Sequence, residues 1–301
     1  MNKSLIFSIL MVMAMIFWGA SWPSSKILVQ YTSADVITFW RFFFALLASI
    51  PLLVIFRIPL RIESKDFKLL ILVAFFNSLY SILFFTGLNY GSAGKGGVLV
   101  TTMTPVFTYL LTFAIHKWQK DSTKTMSKNE VLGLILGIFS GICLLNLHSL
   151  SELFGRFNTF FLLAALDWAF LTILTHKIRI HPIAINFYIT FLSVIYWLPL
   201  FYFQPHLLDI FDFDLRFWGM LFVVAVLSTA LGTSVYYMGV FYVGAAKAST
   251  FPLLVPASAL ITSYLILGEI PSFLTLFGGT LAIVAIYLIN LYKPKSDDKS
   301  R

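Results

Sequence analysis

TGLNYGSAGKGG (86–97) and MGVFYVGAAKAS (238–249) are two readings of one pattern, 152 residues apart. Gly87 falls on Gly239, Tyr90 on Tyr242 and Lys95 on Lys247. The match continues outward: Thr104-Pro105 lies beside Pro256-Ala257, Phe39 pairs with Phe187, Pro51 with Pro199, and Trp18 with Trp168. An ordered series of this kind marks an internal duplication.

Each copy is apolar. Of the 301 residues 59% are hydrophobic and 11% charged. Charge-poor runs recur, and ~20 apolar residues at 1.5 Å each cross a ~30 Å hydrocarbon layer. Ten spans are expected: Leu5 to Leu28, Asp35 to Phe56, Leu69 to Tyr90, Val98 to Ile115, Val131 to Leu147, Thr159 to His176, Ile183 to Phe203, Phe217 to Val240, Ala248 to Leu267 and Phe273 to Tyr292. No period-2 alternation suggests a barrel, so the backbone must satisfy itself as helix. The expected fold is an all-α integral membrane protein. Ten transmembrane helices form two five-helix repeats, 1–147 and 148–292, followed by a charged tail, 293–301. Five spans per copy put the second copy upside down relative to the first. Inverted repeats of this kind build secondary transporters.

The net charge of +8 is an orientation signal. With the N-terminus inside, sixteen Lys and Arg fall on the cytoplasmic side against four opposite, Lys26, Lys95, Arg156 and Arg216. Both termini are therefore expected in the cytoplasm and the chain in the inner (plasma) membrane, with no role for nucleic acid. Cys143 is the sole cysteine, which excludes an internal disulfide or a multi-cysteine metal site. The start, Met1 to Ala20, has signal-peptide character but reads as an uncleaved first span. No Walker-type glycine loop supports an ATP-driven pump.

The ten spans, the paired landmarks, FWGASW (17–22) and PLLVPASALITSYLILGEIPS (252–272) resemble the EamA-type branch of the drug/metabolite transporter superfamily. The resemblance implies a central cavity lined by helices one to four and six to nine, with five and ten peripheral, and export or exchange of small polar metabolites such as amino acids. Gly133, Gly137 and Gly141 suit the peripheral role by admitting a neighbouring backbone. The copies differ where His116 and Lys117 stand in place of Gly268 and Glu269.

Ionisable groups at membrane depth are costly and mark function. Arg41 and Asp167 lie well inside spans, both ~9 to 12 Å below the outer face. Their repeat partners, Ile189 and Phe17, are uncharged. They are expected to pair across the empty cavity and to take a substrate's carboxylate and ammonium when it is filled. The structural alternatives are an Arg41 that snorkels to the headgroups and an Asp167 bonded to a nearby Tyr, Trp or backbone group. Further candidate substrate contacts are Trp18, Trp22, Trp168, Asn77, Tyr80, Thr101, Asn186, Tyr188 and Tyr236. Each has a competing role in packing or helix-to-helix bonding. Pro105, Pro252 and Pro256 are candidate hinges, and Lys95 and Lys247 candidate gates. Asp167 and Glu269 are candidates for proton coupling, and Glu269 equally for holding its turn.

The expected partners are the lipid bilayer and a small-molecule substrate, with the chain a monomer or homodimer. No cofactor or metal is expected. The competing class is a membrane acyltransferase, on the His116-x4-Asp121 spacing, with His as base. Lipophilic, drug-like or nucleotide-derived cargo is the other alternative. His176 and His181 lack the carboxylates of a metal cluster.

Overall fold

The computed structural model describes residues 3–118, 128–145, 155–243 and 251–290, and no strand occurs among them. The helices are α1 (Lys3–Leu28), α2 (Ala34–Ile55), α3 (Ser64–Leu88), α4 (Ala93–Trp118), α5 (Lys128–Leu145), α6 (Arg156–Thr175) and α7 (Pro182–Trp197). A continuous rod, α8 (215–243), is followed by α9 (Val255–Leu267) and α10 (Phe273–Asn290). Seven helical stretches are long and apolar enough to cross a bilayer. Three shorter ones, Val131–Leu144, Phe251–Leu267 and Phe273–Leu288, occupy α5, α9 and α10.

Polar contacts between the turns sort the helix ends onto two faces. At one, apical face, Tyr31 Oη donates to Asp214 Oδ1 (2.9 Å), Gln204 Nε2 donates to Asp35 Oδ2 (2.9 Å), and Lys26 Nζ donates to the Leu88 carbonyl. At the opposite, basal face, where α1 begins, Tyr188 Oη donates to the Leu60 carbonyl (2.7 Å). The segment after α7 folds over the apical end of α2. Its Leu207 and Ile210 are buried, and the Leu207 carbonyl accepts from Trp40 Nε1 at 2.7 Å. Trp218 packs on Phe44, Phe211 and Phe217.

Lipid tails give apolar helices no solvent reason to associate, so close packing and interhelical hydrogen bonds decide which helices meet. Here those contacts occur in matched pairs. A Cβ built on Gly87 of α3 would stand 3.1 Å from Phe161 of α6, and one built on Gly239 of α8 would stand 2.1 Å from Met11 of α1. Met11 and Phe161 each lie seven residues before the paired tryptophans, Trp18 and Trp168. Likewise Thr104 of α4 donates to the Ala165 carbonyl of α6 (3.3 Å), and Ser258 of α9 donates to the Met15 carbonyl of α1 (3.0 Å). Met15 and Ala165 each lie three residues before those tryptophans. Thus α3 and α4 lie on α6 as α8 and α9 lie on α1, and each half packs crosswise on the other.

The α5–α10 pair is held separately. Ser140 Oγ donates to the Gly278 carbonyl at 2.7 Å, while Gly137 and Gly141 admit Val106 and Met103 of α4. Two elements depart from expectation. Lys95 sits in the first turn of α4 rather than in a loop. Pro256 opens α9 after a 3-10 turn, Phe251–Leu254, that contains Pro252, whereas Pro105 lies inside α4. At a helix's first turn the missing proline N–H costs little, so the break in this span is the joint before α9.

Candidate functional site

Helix α2 carries Arg41 into the bundle at the level where α3 and α8 pass. Its Nε donates to Thr229 Oγ1 (3.1 Å) and a terminal nitrogen to Ser81 Oγ (3.4 Å). The guanidinium carbon stands 5.7 Å from the centre of the Phe42 ring and 5.8 Å from that of Phe85. The guanidinium is thus held by hydroxyls inside the bundle and does not snorkel outward.

Asp167 of α6 is 5% exposed, and neither of its oxygens has a hydrogen-bond partner among the described residues. The direct Arg41–Asp167 pair is not formed, because hydroxyls on α3 and α8 take the guanidinium instead. Among the described residues the one salt bridge is His206–Asp209, on the surface at 2.7 Å. Tyr80 lies within electrostatic reach of both Arg41 and Asp167. Its ring is 4.5 Å from that of Trp168, the neighbour of Asp167 in sequence.

The middle of α8, Val223–Gly232, is wound as a π-helix. A π segment displaces carbonyls from the regular ladder, a feature frequent at functional sites. Thr229 Oγ1 donates back five residues to the Val224 carbonyl (2.7 Å). The Ser228 carbonyl accepts from Trp18 Nε1 (3.2 Å) and from Thr233 Oγ1 (3.4 Å). Asn186 Nδ2 donates to the Thr229 carbonyl (3.2 Å) and to Ser234 Oγ (3.4 Å). Arg41, Trp18 and Asn186 therefore converge on one widened stretch of α8. Trp18 also packs on Tyr236 with ring centres 5.3 Å apart.

Toward the apical face the bundle is closed. Trp22, 3% exposed, packs on Phe84 and Phe161 against Gly96 and Gly97 of α4. The Glu269 carboxylate then fastens the two halves, accepting from the Ala93 and Gly94 N–H groups at 2.9 Å each. These are the first donors of α4, without intrahelical partners, and a helix N-terminus favours an anion. Gly268, at φ +69°, makes the left-handed turn that ends α9 and aims Glu269 there. Two cavities open toward the basal face. One of about 830 Å³ is bordered by the start of α3 and the end of α6, and one of about 120 Å³ by His181, Tyr237 and Tyr242.

The remaining candidates divide by partner. Asn77 donates to Ser193 Oγ (3.1 Å), joining α3 to α7, and Thr101 turns back on the Gly97 carbonyl of its own helix (2.6 Å). Tyr188 is taken up by the basal turn at Leu60, away from the charges. Lys95 Nζ lies 5.2 Å from the centre of the Phe157 ring. Lys247 lies outside the described residues, as do Asp121 and the side chain of His116.

The sequence profile of the EamA-like transporter family matches this chain twice, over residues 5–147 and 156–291. The chain belongs to the EamA-like transporter family. Relatives named as uncharacterized transporters match at low identity. The uncharacterized transporter YetK of Bacillus subtilis (strain 168) is 24% identical, the alignment covering 94% of this chain and 86% of the relative. An uncharacterized transporter of Archaeoglobus fulgidus is 24% identical over 93% of this chain and 97% of its own. YyaM of Bacillus subtilis is 25% identical over 90% and 89%. A protein crystal structure with 13% identity superposes over 95% of this chain and 97% of its own with a TM-score of 0.63, which shows a shared fold. This EamA-like protein is thus a multi-pass membrane transporter.

Composition could not single out Ser193, Ser234 or the π segment. Each joins the candidate site only through the helix it faces.

Proposed function

We propose that this EamA-like protein is a secondary transporter of a small polar zwitterion, most simply an amino acid, working by alternating access. Ten spans form two inverted repeats, with the basal face and both termini in the cytoplasm and the chain in the inner membrane. The double family match and the mirrored α1–α8, α1–α9, α6–α3 and α6–α4 contacts support the repeats. The strong basic excess supports the orientation.

The observation that carries the substrate class is the unpartnered Asp167 carboxylate, set beyond Tyr80 from Arg41. At this depth a carboxylate needs a cationic partner or a proton. An ammonium supplies the first. Arg41, held by hydroxyls that can be exchanged for a stronger acceptor, suits the carboxylate at the other end of the same molecule. Trp168, Tyr80 and Trp18 offer the flat faces between. Proton coupling would run through Asp167. Glu269, engaged in a helix cap, serves the outer closure.

Counterflow in proteoliposomes tests this, with labelled amino acids, nucleosides and cofactors, with and without a pH gradient. Zwitterion exchange that Asp167→Asn abolishes is expected. Exchange of nucleosides or lipophilic compounds alone, unaffected by Asp167→Asn, would overturn it.

A further inference from the structure

The 830 Å³ basal cavity is lined by Ser64, Lys65, Lys68 and Leu69 at the start of α3 and by His176, Lys177 and Arg179 after α6. Four permanent cations and a histidine thus face one hollow from two separate elements. None of Lys65, Lys68, Lys177 and Arg179 forms a salt bridge with a described residue. The nearby acids do not line the hollow: Glu63 precedes α3, and Asp66 is buried in its first turn. The walls are fixed from below. Ile178 is buried between the cations of the second wall, in an apolar cluster with Leu70, Val73 and Leu171, and Ile62 and Ile180 pack against it.

Gathering like charges is unfavourable unless an anion sits among them. The first free N–H groups of the 25-residue α3 add to the same field. The face of α3 below the hollow is apolar and open. Lys65, Lys68, Leu72 and Phe75 follow one another at helical spacing, and Leu72 and Phe75 are exposed. A charged head with a bare apolar track beneath it, at the end of a membrane-crossing helix, is the shape of a lipid. Basic pockets between transmembrane helices hold phosphate headgroups in this manner.

We propose that this cavity binds the phosphate of an anionic phospholipid, held by Lys65, Lys68, Lys177 and Arg179, with an acyl chain along Leu72 and Phe75. The site is separate from the Arg41–Asp167 region and does not depend on the transported substrate. Bound lipid would tie the start of α3 to the end of α6.

The full chain is purified and incubated with equal amounts of phosphatidylglycerol and phosphatidylcholine, and native mass spectrometry reads the lipid retained. Wild type retains phosphatidylglycerol selectively. The variants Lys68→Gln and Arg179→Gln each lower that selectivity about fivefold, and the quadruple Gln variant abolishes it. Arg57→Gln with Arg61→Gln, which removes two cations of the same face outside the cavity, leaves it unchanged. The charge-keeping variant Lys68→Arg retains lipid and shows that the single substitutions are tolerated by the fold. Three outcomes overturn the proposal: no selectivity in wild type, equal loss in the Arg57/Arg61 variant, or displacement of the lipid by inorganic phosphate, which would assign the hollow to a soluble anion.

Discussion

Replacing Glu269 by Ala removes the one carboxylate that ties α9 to α4 at the apical closure. Two backbone donors at 2.9 Å lose their acceptor. A hydrogen bond to a charged group contributes ~1.5–3 kcal/mol, and the low end applies because Glu269 is half-buried, so the pair contributes about 3 kcal/mol. When the apical mouth opens, water takes over both N–H groups, and the loss therefore falls on the closed state. About 3 kcal/mol at 1.4 kcal/mol per decade makes apical opening up to about 100-fold more frequent. Glu269→Gln keeps one acceptor without its charge and should give about a tenfold change, half the free energy by the same arithmetic. The readout is a cysteine at Ser25, buried near the apical end of α1. In a Cys143→Ser background its rate of reaction with a maleimide confined to the apical side reports the opening. A Tm lowered by Glu269→Ala with an unchanged labelling rate would refute the reasoning, since the cap would then be structural support and no part of a gate.

Asp167→Asn should abolish exchange of ammonium-bearing substrates while leaving Tm unchanged or raised, because it removes a buried charge that nothing compensates; a Tm fall of several degrees would count against an unpartnered Asp167. Arg41→Ala removes the donor to Ser81 and to Thr229, whose hydroxyl keeps its bond to the Val224 carbonyl, and should lower stability by ~1–3 kcal/mol, measured as Tm in detergent, together with loss of carboxylate-bearing substrates. Gly19→Ala places a Cβ 2.7 Å from the backbone of Ser258 and Ala259, which cannot swing aside, and should cost ~1–3 kcal/mol. Gly219→Ala meets nothing within 4 Å and should be neutral or slightly stabilising. The Phe217 N–H, then the Tyr31 hydroxyl, hold the Asp214 carboxylate below its ordinary pKa of 3.8. Its folded-state pKa being depressed, the stabilisation is present above pH ~4 and lost as pH falls through the lower folded value. Asp214→Asn should therefore lower Tm at pH 7 and cease to do so in strong acid.

The duplication was legible because it is written along one dimension: matched Gly, Tyr and Lys positions 152 apart, with Trp, Phe and Pro landmarks in the same order at nearly the same offset, survive without knowledge of the fold. Helix positions followed from hydropathy for the same reason, while the 3-10 turn at Phe251–Leu254 that precedes α9 was not legible. The buried charges were legible as types, since Arg41 and Asp167 are conspicuous in apolar spans. Their partners were not. Whether a guanidinium reaches a carboxylate or a pair of hydroxyls depends on the rotation of three helices about their axes, which pattern does not encode. VVAVLSTALG (223–232) reads as an ordinary apolar run, and nothing in its pattern marks the π winding on which Arg41, Trp18 and Asn186 converge. The role of Glu269 was half legible: the Gly-Glu turn was visible, but its acceptor role depends on a helix start 175 residues away.

The two halves fail to mirror each other around the candidate site. Trp168 packs on Tyr80 of α3, and the position on α8 that corresponds to Tyr80 is Gly232, over which Trp18 lies. One tryptophan thus meets a phenol beside the lone carboxylate, and the other donates to the Ser228 carbonyl of the π segment. A strictly symmetric bundle would offer a substrate the same surface from both sides and could not distinguish its two ends. Placing Asp167 on α6 without a counterpart on α1, and Arg41 on α2 without one on α7, gives the centre a direction. Among the described residues only α8 is wound as a π-helix, and it is the helix that accepts the Arg41 guanidinium. In the proposed rocking, the Arg41–Thr229 bond, which joins α2 of one half to α8 of the other, must yield. Replacing Thr229 by Val, which keeps the shape and removes the acceptor, should change transport of carboxylate-bearing substrates more than it changes Tm.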